Sequence, residues 1–346
     1  MAVKILSTKF LTGNSADGID NFNLAVFGRV PSDQLNFYTK APVNFKNIGS
    51  IKTINMSRLA YLIGQKPDFL WGIGNIKELL FLIFKPKKTK YIINFHTILI
   101  KNKGPWRVKT PWFLRKFLFS KANLIICPSE FSAQSVRRYF PDKEIISILN
   151  GVDLDFFNPD KHNPKYLEEK YKIDFSRPLV VFIGALHLRK RPDFFIELAK
   201  NYPKANFLAI GRQVPSNNFL SSVEDFKNFQ WIEKMPREDI AVLLASSKIF
   251  VFPSLNETSA AVILEAMASG CVPIVSKNGG NPEFLTDNES GFLVELTPNE
   301  KQEFIKRINL LINNRELRQK MSQASRRQAE KHSYDKVAKQ YLRFLV

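Results

Sequence analysis

Cysteine is nearly absent: Cys127 and Cys271 are the two in 346 residues. Both sit in apolar, strand-like stretches, so no disulfide framework is on offer and a reducing compartment is expected. Histidine is almost as sparse, at positions 96, 162, 187 and 332, a scatter that excludes a histidine-based metal motif. No apolar run approaches the ~18 residues of a membrane-spanning helix. The opening "MAVKILSTKF" is too short and too polar for a secretory signal, so a cytoplasmic location is expected. Acidic residues are missing altogether between Glu78 and Glu130.

What is present begins with charge. The chain carries 51 basic and 32 acidic residues, a net of +19. Residues 1–155 hold a net of +13 and residues 156–346 a net of +6. Such a basic first half implies an anionic partner: nucleic acid, a phosphorylated substrate or a membrane surface. No RNA- or DNA-binding motif accompanies the charge, so nucleic acid is not expected. A chain of 346 residues with 45% apolar content is long enough for two cores.

Short apolar runs alternate with longer amphipathic ones, the pattern of α/β layers on parallel sheets. In the first half strands are expected at "VKIL", "PDFLWGI", "KYIINFH", "NLIICPS" and "EIISILN". A helix is expected over "FSAQSVRRYF", with Ser129 or Ser132 as its N-cap. The stretch "NGVDLDFFNPDKHNPKYLEEKYK" is rich in Asn, Asp and Pro and reads as a turn and a linker. Strands then resume at "PLVVFIGAL", "ANFLAIG", "FQWIE", "IFVFPS", "VPIVSK" and "GFLVE". Helices are expected at "RPDFFIELAKNY", "REDIAVLLASS", "ETSAAVILEAMASG" and "PNEKQEFIKRINLLINN", with a last one from about Asp335. The expected organisation is a first domain over 1–155, a linker over 156–176, a second domain over 177–330, and a terminal helix over 331–346 that packs back on the first domain. Ligands of such sheets bind at the carboxyl ends of the strands.

The segment "NETSAAVILEAMASGCVPIVSKNGGNPEF" carries the sharpest chemical signal. Glu265 is the only charge between Ala260 and Ala268, and Ala261, Val262, Ala268 and Ser269 at i±3 and i±4 cannot neutralise it. A helix apolar on all sides is a buried one, and a lone buried carboxylate is costly unless something hydrogen-bonds to it. Its partner must come from elsewhere in the fold or from a ligand. Glu257 is expected in the loop before this helix, with Thr258 or Ser259 as the cap. The first amides of the helix then form an anion site.

The stretch "FVFPSLNETSAAVILEAMASGCVPIVSKNGGNPEFLTDNESGFLVE" resembles the nucleotide-recognition segment of the GT-B glycosyltransferases of family 4. The match comprises Glu257 and Glu265, "EAMASG", "PIV", the Gly-Gly before "PE", and "GFLV". "VVFIGALHLRKRPDFFIELAK", "NLIICPSEFSAQSVRRYF" and "ISILNGVDLDFFNP" extend the resemblance to about three quarters of the chain, weakest over residues 1–90. It implies two Rossmann-like domains facing across a cleft. It also implies a retaining, metal-independent transfer of a sugar from a nucleotide-diphosphate sugar to an acceptor hydroxyl, in glycan, glycolipid or polysaccharide synthesis, with no cofactor. Glu265 would hold the ribose, Glu257 would face the transferred sugar, and Lys190 would hold the diphosphate. Gly184, Ser259 and, after the first strand, Gly13 would complete the donor site. His96, at the end of "KYIINFH", matches a first-domain histidine near the sugar's 6-hydroxyl.

Two departures stand out. Ala185 replaces the arginine usual after the loop's first glycine; Arg189, Arg191 and Arg212 are the candidates to supply the charge, with Arg189 the first choice. Thr258, Ser259 and Ala260 replace the usual Gly-Phe-Gly. Two alternatives therefore stay open: a catalytically inactive nucleotide-sugar-binding protein, or another GT-B enzyme such as an epimerase or a phosphorylase. The Asp-x-Asp of "VDLDFF" lies in the domain junction and is not read as a metal site. Residues 85–121 carry 11 Lys and Arg interleaved with Trp106, Trp112, Phe113, Phe117 and Phe119. Basic and aromatic residues combine in this way at membrane interfaces. A lipid-linked or glycan acceptor and peripheral contact with an anionic membrane are expected.

Overall fold

Apolar runs of four or five residues, buried on both faces, make central strands of parallel sheets. "LVVFI", "IFVF" and "LIIC" are such runs, and helices connect them. The computed structural model describes residues 2–8, 18–39, 49–54, 56–99, 111–213 and 227–345. These form two units, Met1–Gly151 with Tyr334–Val346, and Val152–Ser333.

The first unit runs β1 (Val3–Ser7), α1 (Gly18–Phe27), β2 (Leu35–Thr39), β3 (Ile51–Thr53), α2 (Arg58–Gln65), β4 (Phe69–Gly72), α3 (Glu78–Ile83), β5 (Lys90–Asn94), α4 (Trp112–Lys121), β6 (Leu124–Cys127), α5 (Glu130–Arg137) and β7 (Ile145–Ser147). Its parallel strands lie in the order β3-β2-β1-β4-β5-β6-β7. Of the two candidate caps, Ser129 caps α5, its Oγ accepting from Ser132 N at 3.1 Å. One face of the sheet buries Tyr91, Phe95, Leu118 and Phe119. The other buries Phe27, Phe37 and Trp71 together with Val337, Ala338 and Tyr341 of the last helix, Tyr334–Leu345. Strands β2 and β3 escaped the sequence reading because "LNFYT" and "IKT" are short and half polar.

The second unit opens with α6 (Pro164–Tyr171), inside the stretch expected as a linker. Asn163 caps it, Pro164 starts it, and its Leu167 is fully buried beside Ile173 and Leu179. Asp239 accepts hydrogen bonds from Tyr166 at 2.8 Å, from Lys170 at 2.8 Å and from Tyr171, which ties α6 into the domain. The unit continues with β8 (Leu179–Ile183), α7 (Pro192–Asn201), β9 (Asn206–Ile210), β10 (Phe229–Ile232), α8 (Arg237–Ser246), β11 (Ile249–Phe252), α9 (Ala261–Ala268), β12 (Val272–Ser276), β13 (Phe292–Val294), α10 (Glu300–Asn313) and α11 (Arg315–Glu330). The final helix, α12, belongs to the first unit.

The second sheet has the order β10-β9-β8-β11-β12-β13, all parallel. Pro273 sits inside β12, where a missing N–H would normally break a ladder. Val272 N donates toward the β11 side, to Lys248 O at 3.0 Å. The next nitrogen therefore faces β13, whose pairing starts only at Ile274. In both sheets the strand order reverses beside the first strand, between β1 and β4 and between β8 and β11. This is the switch point where such sheets bind ligands.

The aromatic contacts of Tyr341 with Phe22, Phe27 and Trp71 lead to a prediction. Tyr341→Ala removes a side chain that is 1% exposed and should cost the first unit about 3–5 kcal/mol. Urea unfolding followed by tryptophan fluorescence measures it, and a loss below 1 kcal/mol would contradict the packing role.

Candidate active site

The loops that follow β8, β11 and β12 converge at the switch point of the second unit. After β8 the chain passes Gly184 and enters a one-turn 3₁₀ segment, Leu188–Lys190, capped by His187, whose Nδ1 accepts from Arg189 N at 3.1 Å. Arg189 O then receives Leu255 N at 2.8 Å and Ser254 Oγ at 3.2 Å, from the loop after β11. The Arg189 guanidinium donates to Asn256 O at 2.6 Å and ion-pairs with Glu257 Oε1. Lys190 Nζ lies 3.9 Å from the same oxygen and 5.3 Å from the ring centre of Phe252. Ser254 Oγ approaches it at 3.4 Å. The loop after β12 closes the group: Gly280 N donates to Glu257 O at 2.8 Å, and Asn278 Nδ2 donates to Leu255 O.

Two glycines shape this group, and the second is required. A Cβ on Gly184 would lie 2.9 Å from Lys190 Nζ and 3.0 Å from its Cδ, so glycine leaves the space the lysine occupies. Gly279 has φ +63°, and a Cβ there would strike the Glu257 backbone.

The electrostatics are unbalanced by design of position. Glu257 is 12% exposed, and it faces two cations that are 27% and 20% exposed. Burial holds the Lys190 ammonium below its ordinary range, Glu257 opposes that shift, and Arg189 adds to it. The trio therefore carries one surplus positive charge in a partly desolvated place. Arg191, the third basic residue in the row, takes no part. It is paired with Glu300, Nη1 to Oε2 at 3.0 Å, and stacks on Phe194 at 4.1 Å.

Glu265 sits in the second turn of α9, half-buried. Among the described residues none hydrogen-bonds its carboxylate. Burial pushes its pKa up to about 7, while Arg237 acts through space to lower it. Arg237 is held by stacking on Phe156 at 4.4 Å and Phe157 at 5.1 Å. It lies 28 positions before Glu265, and no pattern in the sequence connects the two.

The expected cap of this helix needs correction. The N-cap is Ala260, with no side-chain hydrogen bond, and α9 spans only Ala261–Ala268. Glu257 O is bound by Gly280, which holds residues 257–260 out of the helix. Thr258 and Ser259 precede the cap and leave the first amides of α9 without a side-chain acceptor from the cap residue. His96 lies beyond the end of β5 in the first unit, edge-on to Phe22 at 5.2 Å. Gly13 lies outside the described residues. No cluster of three or more His, Cys, Asp or Glu capable of holding a metal occurs among the described residues. No helix among them is long and apolar enough to cross a membrane.

Comparison with known proteins fits this geometry. Residues 165–328 match the family model described as Glycosyl transferases group 1, and residues 34–156 match Glycosyltransferase Family 4. The chain belongs to the family 4 glycosyltransferases. It is 25% identical over 239 residues, 66% of its length, to the sulfoquinovosyl transferase SQD2 of Arabidopsis thaliana. It is 28% identical over 182 residues, 50% of its length, to the processive diacylglycerol alpha-glucosyltransferase of Acholeplasma laidlawii. The aligned parts span 45% and 54% of those relatives, about half of each. The fold is GT-B. The Anabaena protein Alr3699/HepE, solved in complex with UDP, superposes with a TM-score of 0.76 at 16% identity, covering 100% of this chain and 99% of that one.

The position of Glu265 predicts a pH dependence. Its folded pKa of about 7 stands above the ordinary 4.5, so its contribution to stability is complete below pH 4.5 and is lost as pH rises toward 7. Between pH 4 and pH 8 the wild type should lose about 3 kcal/mol relative to Glu265→Gln. Paired urea titrations at the two pH values measure it, and parallel curves would remove the raised pKa.

Proposed function

We propose that this family 4 member transfers a sugar from a nucleoside-diphosphate sugar to an acceptor hydroxyl, with retention at the anomeric carbon and without a metal ion. The observation that carries the reading is the pair of opposed defects in one unit. A surplus cation stands at Arg189, Lys190 and Glu257, and a half-buried carboxylate without a hydrogen-bond donor stands at Glu265. A diphosphate supplies the missing anion, and a ribose diol supplies the missing donors. The amino end of α9, whose cap residue supplies no side-chain acceptor, adds to the attraction for phosphate oxygens. HepE, the structural neighbour, was also solved in complex with UDP-glucose, which supports a nucleotide sugar as donor.

In this reading the bond between the anomeric carbon and the diphosphate oxygen breaks, and the pair of electrons leaves with the diphosphate. Lys190 and Arg189 stabilise the charge that develops there. Arg189 thus answers the loss of arginine at Ala185, and its link to Glu257 sets where the carboxylate stands beside the sugar. The acceptor oxygen bonds to the anomeric carbon on the same face, and its proton passes to the departing diphosphate.

The test is thermal stabilisation by UDP, GDP, ADP and CMP, each with and without a chelator. One nucleoside diphosphate should stabilise the protein by about 2.7 kcal/mol at a hundredfold excess over its Kd, chelator or not. Glu265→Ala should weaken that binding at least tenfold, while Glu257→Ala should bind and lose at least a hundredfold in turnover. No stabilisation by any of the four would overturn the donor site.

The acceptor is proposed to be presented at a membrane surface. The Acholeplasma relative is named for transfer to diacylglycerol. In the first unit Phe119 is core, but Phe113 is 69% and Phe117 47% exposed on α4, beside Lys116 and Lys121. On α3 Leu80 and Ile83 are exposed too, followed by Phe84 and the basic run "KPKK". Phe113→Ser with Phe117→Ser should reduce binding to vesicles containing phosphatidylglycerol at least fivefold. Vesicle binding indifferent to salt, to lipid charge and to both substitutions would count against a membrane-borne acceptor.

A further inference from the structure

The second unit has another cavity, at the opposite edge of its sheet from Lys190 and Glu257. The site loops follow the carboxyl ends of β8 and β11. This cavity lies where the chain enters β11 and β12, beside Lys248 and beside Ser269 and Gly270. The first half of α11 and the turn around Pro159–His162 complete it, and its volume is about 400 Å³. Lys248, Arg315, Arg318 and His162 line it, and no Asp or Glu does. Lys248 and Arg315 are exposed and make no ion pair among the described residues.

Helix carboxyl ends attract cations, and α8 and α9 both end here. That accounts for part of the cluster. Arg318, for example, donates to Ile312 O at 3.2 Å and to Leu311 O at the end of α10. It does not account for a cavity of this size. Burial first, and then the neighbouring Arg315, hold the Arg318 guanidinium below its ordinary range. Three cations converge on one space, and no carboxylate lines it.

We propose that this cavity is a second ligand site, separate from the donor site, and that it takes a phosphate monoester of a small sugar or polyol. The phosphate dianion pairs with Lys248, Arg315 and Arg318. The polyol body fills a volume far larger than a bare phosphate needs, and its hydroxyls reach the amides of Gln319 and Gln323 that also line the space.

Isothermal titration of the full chain tests this with inorganic phosphate and with a hexose monophosphate. Three proteins are compared: the wild type, Lys190→Ala, and the double variant Lys248→Ala with Arg315→Ala, whose two side chains are exposed in the native protein. The hexose monophosphate should bind the wild type and Lys190→Ala equally, and the double variant at least tenfold more weakly. Binding lost in Lys190→Ala and kept in the double variant would place the ligand at the donor site and overturn the proposal. Absence of saturable binding to the wild type would overturn it as well. Inorganic phosphate binding as tightly as the hexose monophosphate would overturn the polyol assignment.

Discussion

The contact between Arg189 and Glu257 is the constraint on which the candidate site depends. It joins the loop after β8 to the loop after β11 by an ion pair, and two backbone-directed hydrogen bonds to Arg189 O reinforce the join. The loop after β12 is added through Gly280 and Asn278. Three strand ends of a parallel sheet are thereby locked in register with one another. Lys190 is then placed without a choice of direction, against Phe252 and over the space left by Gly184. A partly buried ion pair adds little net stability, yet breaking one by removing a partner is costly. Its value here is positional: it fixes where a carboxylate and two cations stand before any ligand arrives.

Glu265 follows the opposite logic. Proteins rarely leave a half-buried carboxylate without a donor, because the desolvation is not repaid. The fold tolerates it because α9 is otherwise apolar and well packed, with Ile263, Leu264, Ala266 and Met267 fully buried. Arg237 offsets part of the cost through space without closing a hydrogen bond. A ligand diol would recover the rest, so ligand affinity and the stability deficit of the free protein are two views of one free energy.

Much of this was legible in the sequence, for definite reasons. Strands buried on both faces announce themselves as apolar runs, so β8, β9, β11 and β12 were read at nearly their true limits. Glu265 was conspicuous because it is the one charge in an apolar helix. The half-polar strands β2 and β3 gave no such signal, since "IKT" has no periodicity to detect. Helix α6 was hidden by the Asn and Pro residues that cap and start it, which read equally well as a linker. The cap of α9 was misplaced because Thr258 and Ser259 are good caps by type, whereas a tertiary bond from Gly280 to Glu257 O decides where the helix begins. Lys190 and Arg189 were singled out by the family resemblance, but that Arg191 is engaged elsewhere could not be read in one dimension: Glu300, 109 positions away, claims it.

The two ends of α9 bring the donor site and the opposite cavity into one frame. Its amino end follows the Glu257 loop, and its carboxyl end supplies Ser269 and Gly270 to the cavity wall. Eight residues at 1.5 Å each make a helix about 12 Å long, about one and a half Debye lengths at physiological salt. Cations at the cavity therefore contribute to the field at the amino end of α9 only where intervening protein excludes water. The amino end of this short helix favours anions, whereas at its carboxyl end Lys248 and Arg315 stand against the partial negative charge of the carbonyls and Arg318 caps α10. Three helix ends meet three cations there, and what distinguishes the cavity from an ordinary helix terminus is that the cations converge on one space with no carboxylate in its lining.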